Sequence, residues 1–226
     1  MKLFADCKQS YISVFPKSKT VHSNSLFFIE AYGTSESLIK QLNKKHQIYL
    51  KSGNKRINLI VIEILKGDKH ISIAKLKPEK TLELGTTYQM AIDSLNTNMT
   101  FDFSTVSYTV NQSADTKKPI LISKPKYKSK TLVYYGCGPE SFVNFQFKAK
   151  DSSELMIKTI LKNLKTGKTQ TYYVTPNNNE IKVGYGMCSG AFNLESGTDY
   201  HVQFNIIDAS GNSSSGNNKV ISFTAS

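Results

Sequence analysis

The stretch Leu194-Glu-Ser-Gly197-Thr-Asp-Tyr200-His-Val-Gln-Phe-Asn-Ile-Ile-Asp208-Ala-Ser-Gly211-Asn212 decides how this chain is read. From Tyr200 the apolar residues fall at every second place, Tyr200, Val202, Phe204 and Ile206, while His201, Gln203 and Asn205 take the other face. A period of two is what a strand with one buried face requires. Gly197 makes a tight corner before it, and Ala-Ser-Gly211-Asn212 opens a turn into a last strand after it.

The stretch occurs twice. Leu82-Glu-Leu-Gly85-Thr-Thr-Tyr88 matches Leu194 to Tyr200 at five of seven positions, 112 residues earlier, and Tyr88, Met90 and Ile92 then alternate as Tyr200, Val202 and Phe204 do. About one hundred residues is the length of one β-sandwich domain. Two such domains are expected, residues 1–113 and 119–226, with a linker at 114–118 where proteolysis should cut first.

Working outward, residues 1–10 read as a loose leader. Strands are expected at Tyr11–Phe15, stopped by Pro16, and at Leu26–Tyr32. Ser35 to Asn43 is the helical candidate, with Ser35 as N-cap and Leu38, Ile39 and Leu42 on one face. His46–Lys51 and Arg56–Ile64 flank Ser-Gly53-Asn54, a hairpin signal. The second arm, Ile-Asn-Leu-Ile-Val-Ile-Glu-Ile64, is apolar at both parities and is expected to be covered on both faces. Lys69–Leu76 and Thr100–Thr109 complete the first half. In the second half, strands are expected at Ile120–Ile122, Ser141–Lys148, Leu155–Leu164, Thr169–Val174, Glu180–Val183 and Lys219–Thr224, besides the corner strand.

With these residues in place the chain resembles a known architecture. A tyrosine six residues after a leucine, across a Gly-Thr corner, resembles the tyrosine corner of immunoglobulin-like and fibronectin type III sandwiches. Leu194-x-x-Gly-Thr-x-Tyr200 with Asp208-Ala-Ser-Gly211-Asn212 looks like the last strands of a fibronectin III or bacterial immunoglobulin-like module. The first half, with Pro16, Asn24, Leu76-x-Pro78 and Leu82-x-x-Gly-Thr-x-Tyr88, is similar to the immunoglobulin-like modules of bacterial surface-layer and secreted proteins. The resemblance implies an all-β chain of two tandem antiparallel β-sandwiches, with Tyr88 and Tyr200 as structural corner residues. It implies no catalytic residues, because such modules serve as spacers, adhesive units or appendages of secreted enzymes. The core tryptophan of the family is missing.

Composition narrows the function classes. The net charge of +12 divides as +7 over residues 1–118 and +5 over 119–226, so there is no single basic tail. Arg56 is the one arginine. Bidentate phosphate and base-edge contacts favour arginine, and lysine acts as a solvated point charge, so no nucleic-acid partner is expected. Lys124, Lys126, Lys128 and Lys130 share one face of an extended chain. They read either as an edge strand guarded by Lys and Pro, or as a polyanion strip. No segment approaches eighteen apolar residues, and the N-terminus has no apolar h-region, so an exported form is expected to have had its signal removed.

Three cysteines remain, Cys7, Cys137 and Cys188. Cys137 precedes one expected strand and Cys188 follows another. If those strands are antiparallel neighbours, the two thiols lie within disulfide reach, which implies an oxidising compartment. The alternative is two buried thiols. Cys7 reads as a lipidated lipoprotein cysteine, with Asp6 where a small residue is expected, or as a free thiol in a loose terminus.

No histidine is placed against a cysteine, and metal-ligand spacing is absent, so neither a thiol enzyme, a metal nor a cofactor is expected. Asp208 with Asn212 offers one carboxylate, too few oxygens for calcium. Tyr134, Tyr172 and Tyr185, with Tyr135 and Tyr173, gather near glycine-rich loops and could form a sugar-stacking face. The expected function is therefore a non-catalytic, secreted or surface-attached bacterial binding, adhesion or spacer protein: extracellular, cell-surface or periplasmic, and monomeric. Its partner would be another surface protein or a polysaccharide, with membrane contact only through a lipid anchor. The alternative is a carbohydrate-binding appendage of a glycan-degrading system.

Overall fold

The structure is a computed structural model, described over residues 10–93, 101–135, 138–214 and 219–225. It is all-β, built from several sheets that are antiparallel apart from one short parallel pairing. The first half forms an eight-stranded sheet that doubles over a core. Its strands are β1 (Tyr11–Phe15), β2 (Thr20–His22), β3 (Phe27–Tyr32), β4 (Ile48–Ser52), β5 (Lys55–Lys66), β6 (Ile71–Pro78), β7 (Thr87–Ile92) and β8 (Ser107–Gln112), in the order β1-β3-β6-β5-β4-β7-β8-β2. β5 is the fold line. Lys55 to Asn58 pair with β4, and Leu59 to Lys66 pair with β6. The two wings then face each other, with Phe27 of one against Tyr108 of the other at 4.9 Å between ring centroids. Ile29, Leu50, Leu59, Met90 and Val110 fill the space between them and are fully buried.

At Pro16 the chain leaves one wing for the other, and its carbonyl accepts a hydrogen bond from the Tyr108 hydroxyl at 3.0 Å. The short β2 that follows pairs in parallel with β8, a strand not expected from sequence. Three other differences are instructive. The helix occupies Glu36–Gln41 after a 3-10 turn at Gly33–Ser35, and Ser35 stands before it without a side-chain cap bond. The strand expected from Thr100 begins at Ser107. Asp102, whose carboxylate accepts from the Ser104 N–H, starts a 3-10 turn at Phe103–Thr105, and Thr100 itself lies outside the described residues. β5 is not covered on both faces: Leu59 packs inward, while Ile60, Ile62 and Ile64 point to solvent. The neighbouring β3 and β6 pack on both faces, Phe27 and Leu76 in one core and Phe28 and Ile73 in the other, but these three isoleucines are left uncovered, so composition misread this strand.

The second half is a sandwich of two sheets. One holds β9 (Ile120–Tyr135), β10 (Gly138–Lys150) and β13 (Glu180–Tyr185) in the order β13-β10-β9. The other holds β11 (Leu155–Asn163), β12 (Thr169–Val174), β14 (Asp199–Asp208) and β15 (Ile221–Thr224) in the order β12-β11-β14-β15. Val143, Phe145 and Phe147 of β10 alternate inward to meet Val202, Phe204 and Ile206 of β14. Phe145 sits edge-on to Phe204 at 5.0 Å and to Phe223 at 5.6 Å.

The halves share a packed seam. Phe15, Leu26, Phe28 and Ile73 of the first half belong to the same apolar cluster as the core of the second. Lys69 and Gly190 exchange backbone hydrogen bonds, and the Leu26 N–H donates to the Ala209 carbonyl. A Cβ on Gly67 would stand 2.9 Å from the Ala191 backbone, so only glycine permits this approach. Asp115, in the expected linker, is buried. Its N–H donates to the Asn24 side chain, and its carbonyl accepts from the side chains of Asn24 and Asn212.

Candidate functional site

The repeated stretch forms the same corner twice. Tyr88 and Tyr200 each stand second in their strands and are buried. The Tyr88 hydroxyl accepts from the Glu83 N–H at 3.2 Å, and the Tyr200 hydroxyl from the Glu195 N–H at 2.9 Å. Gly85 and Gly197 lie at φ +74° and +70°, the left-handed region that glycine tolerates. Their N–H groups donate to Val110 and Ala225 near the closing strand of each half. Burial raises the Tyr200 pKa above its ordinary value. These residues hold corners and offer no ring face to a ligand.

The lysine strip lies on β9, at the edge of its sheet. Lys124, Lys126, Lys128 and Lys130 are exposed and Pro125 is buried. The register with β10 slips three times, between Asn144 and Phe145, Gln146 and Lys148, and Lys148 and Ala149. Each slip adds a residue on the β9 side, so the one-face alternation expected for the four lysines is interrupted. Bulges, lysines and a proline are the devices by which an edge strand resists pairing with another chain. Lys128 is committed to Glu180 at 2.5 Å.

Beyond the strip the strand changes character. Leu132, Val133, Tyr134 and Tyr135 are consecutive and exposed, at 39%, 38%, 76% and 49%. They pair regularly with Ser141 back to Gly138 of β10, whereas β13 joins β10 only from Ser141 onward. Val133–Tyr135 and Gly138–Glu140 thus form a two-stranded ribbon projecting past the third strand. Exposed Met187 follows β13 at the same end of the sheet. Four consecutive exposed apolar side chains oppose the usual patterning of a strand. Composition singled out Tyr134; the run as a whole could have been found from its four adjacent apolar residues.

The three tyrosines expected to form a stacking face are not alike. Tyr134 has an exposed ring. Tyr172 is buried at the seam, its hydroxyl donating to Glu30 at 3.1 Å, and burial beside that carboxylate drives its pKa far up. Tyr185 is buried beneath the Lys69 ammonium, 3.2 Å from the ring centroid. A continuous aromatic face through all three does not exist, because two of them serve the packing between halves.

Cys7 and Cys137 lie outside the described residues. β10 and β13 are antiparallel neighbours, with Ser141 opposite Tyr185, so the start of β10 lies beside the end of β13, where Cys188 follows.

Tertiary structure also gathers a group that sequence spacing concealed. Asp115, Asp151 and Asp208 bring carboxylate oxygens within 4.8 Å of one another. Burial, with the Asp151 charge, raises the Asp208 pKa, opposed by its bonds to Asn212 and the Ser210 N–H. These oxygens are already engaged. Asp208 accepts from the N–H groups of Ser210 and Asn212 and from the Asn212 amide, Asp115 from the Lys117 N–H, and Asp151 from Ser153. Such a cluster fastens the linker to two loops of the second half. His22 bonds the Ser113 carbonyl through Nδ1 and lies 4.0 Å from Asp115. No helix among the described residues is long and apolar enough to cross a membrane.

No family model and no curated protein matches the chain. Among solved structures it is similar to a pullulanase from Anoxybacillus sp. LM18-11, at 8% identity and TM-score 0.27, over 84% of this chain. It spans only 24% of that pullulanase. It is also similar to a chain of a cytokine receptor complex, at 12% identity and TM-score 0.28, over 95% of this chain and 96% of that one. Scores this low do not establish a shared topology.

Proposed function

We propose that the chain is a non-catalytic binding and spacer protein of two immunoglobulin-like modules, held at a fixed seam and presenting the β9–β10 tip as its contact surface. Strand order supports the module reading. The wing β1-β3-β6-β5 follows the A-B-E-D order of an immunoglobulin constant-type sheet, with the corner tyrosine at the start of the strand after β6. The second half divides seven strands into three and four, its corner tyrosine again opening the strand after β13.

The observation that carries the functional reading is the exposed run Leu132–Tyr135 at the end of a projecting ribbon. A bridge from Cys137, between β9 and β10, to Cys188, after β13, would tie these two segments together and would imply an oxidising compartment. The carbohydrate-binding alternative draws on the exposed Tyr134 ring. Its neighbours Leu132 and Val133 carry no hydrogen-bonding side chains, however, and sugar sites need converging polar groups.

The test compares wild type with a Tyr134→Ser, Tyr135→Ser double variant of unchanged thermal stability. Beads coated with each are scored for adhesion to cell surfaces, and each soluble protein is screened on a glycan array with product analysis. Adhesion lost in the variant supports the reading. Adhesion indifferent to the tip, or release of a hydrolytic product, overturns it, and glycan binding that needs Tyr134 moves the assignment to the alternative.

A further inference from the structure

We infer that the open edge of β5 takes an extended protein segment, apolar at its centre and acidic at its ends, and adds it to the sheet as a further strand. β5 changes neighbours at Asn58. β4 pairs with Lys55 to Asn58 and goes no further, while β6 lies opposite Leu59 to Lys66. From Leu59 on, the strand has β6 on one side and, among the described residues, no strand on the other. Side chains stand in for a strand at the two ends of this edge. The Asn43 amide donates to the Leu59 carbonyl at 3.0 Å, and its oxygen accepts from the Val61 N–H at 2.7 Å. The Gln170 amide donates to the Lys66 carbonyl. Alternate residues of a strand turn their backbone groups the same way, so Ile64, two before Lys66, turns its N–H and carbonyl to the open side. An added strand pairs with just such groups.

The side chains name the partner. Ile60, Ile62 and Ile64 are exposed at 43%, 48% and 39%, where an edge that resists pairing carries lysine or proline, as β9 does. The register with β6 slips once, at Ile62, and runs regularly from Glu63 to Lys66. Lysines stand around the isoleucines and not among them. Lys66 ends the strand, Lys77 lies opposite Ile60, and Lys44 and Lys45 follow Asn43, all four exposed. None of the four pairs with a carboxylate among the described residues. The strand's own acid, Glu63, is held by Lys158 and Tyr173. Unanswered positive charge around an apolar centre is complementary to a segment with acidic ends. The same charges disfavour a second copy. Two β5 edges would bring their lysines together with no free acid on either, between chains of net charge +12.

The experiment measures, by fluorescence anisotropy, binding of the whole chain to a capped, labelled peptide, Asp-Glu-Val-Thr-Val-Thr-Val-Glu-Asp. Wild type should bind it saturably, and hydrogen exchange at the Ile64 amide should slow in the complex. A methyl group on the central valine nitrogen leaves the charge unchanged but blocks strand pairing, and should weaken binding at least about tenfold. Lysine in place of the four acids should weaken it by at least about tenfold too. Ile62→Ser with Ile64→Ser should cost roughly tenfold. Lys44→Glu with Lys66→Glu should cost at least about fivefold, whereas Lys124→Glu with Lys126→Glu, the same charge change on β9, should cost less than about twofold. All variants should keep the wild-type thermal melt. No binding of the acidic peptide, equal binding of its N-methylated form, or equal effects of the two lysine pairs would overturn the inference. A dimer in sedimentation that Ile62→Ser with Ile64→Ser separates would overturn it too, and would give the edge to a second copy.

Discussion

Phe28 of β3 and Tyr173 of β12 meet edge to face with ring centroids 4.9 Å apart, one from each half of the chain. The Tyr173 hydroxyl then donates to Glu63 of β5 at 2.6 Å, and Lys158 of β11 pairs with the other oxygen of that carboxylate at 2.7 Å. Lys75 stands 5.7 Å from the Tyr173 ring, its pKa lowered by burial. Ring, carboxylate and ammonium thus tie one half to the other.

The seam predicts cooperative unfolding. Phe28→Ala leaves a cavity in the cluster shared across the seam and should cost about 3–5 kcal/mol. In urea, probes of the two halves should lose signal together, in the wild type and in the variant. Two separated transitions would show that the halves fold independently. The buried Asp115 likewise predicts that proteases spare the 114–118 segment until the whole chain opens.

Two seam carboxylates predict opposite responses to pH. Burial raises the Glu30 pKa, opposed by the Tyr172 hydroxyl and the Lys17 charge. A raised folded-state pKa gives stability below the unfolded value of about 4.3 that is lost as pH rises through the folded value. Glu30→Gln should therefore stabilise at neutral pH, with the gain vanishing near pH ~4. Burial also raises the Glu63 pKa, but its bonds to Lys158 and Tyr173 outweigh this and leave it below the ordinary value. That stability is present above the unfolded pKa and is lost as pH falls through the folded one. Glu63→Gln should destabilise at neutral pH, and the gap should close on acidification. Thermal melts of both variants across acid to neutral pH check the signs.

The corner tyrosines predict matched losses. Tyr88→Phe and Tyr200→Phe each leave a backbone N–H, of Glu83 and of Glu195, without its acceptor, at roughly 1–3 kcal/mol. Because both sit away from the β9–β10 tip, adhesion of the folded variants should equal wild type. Loss of adhesion with folding intact would place a corner in the binding surface.

The cysteines predict one bridge. Titration of the denatured, unreduced protein from an oxidising compartment should find one thiol, and peptide mapping should join Cys137 to Cys188. The closed loop of about fifty residues would contribute roughly 4 kcal/mol, so reduction should lower the melting temperature. Three titratable thiols would remove the bridge and its implication for compartment.

The sequence by itself determined the strands and corners. Alternation at Tyr200 to Ile206 and at Val143 to Phe147 is local, because a half-buried strand must write its buried face at every second residue. The repeated Gly-Thr-x-Tyr is local too, since the hydroxyl reaches a backbone N–H only five residues upstream. Where one face of a strand was left open, local reading failed: Ile60, Ile62 and Ile64 have the composition of core and the exposure of surface. Only the tertiary structure decided that Tyr172 and Tyr185 belong to the seam and Tyr134 to the surface. All three are strand tyrosines near glycines, and which face of a strand meets another half is set by residues far away in the chain. The meeting of Asp115, Asp151 and Asp208 is of the same kind, for three separate loops must converge before their charges can be seen together.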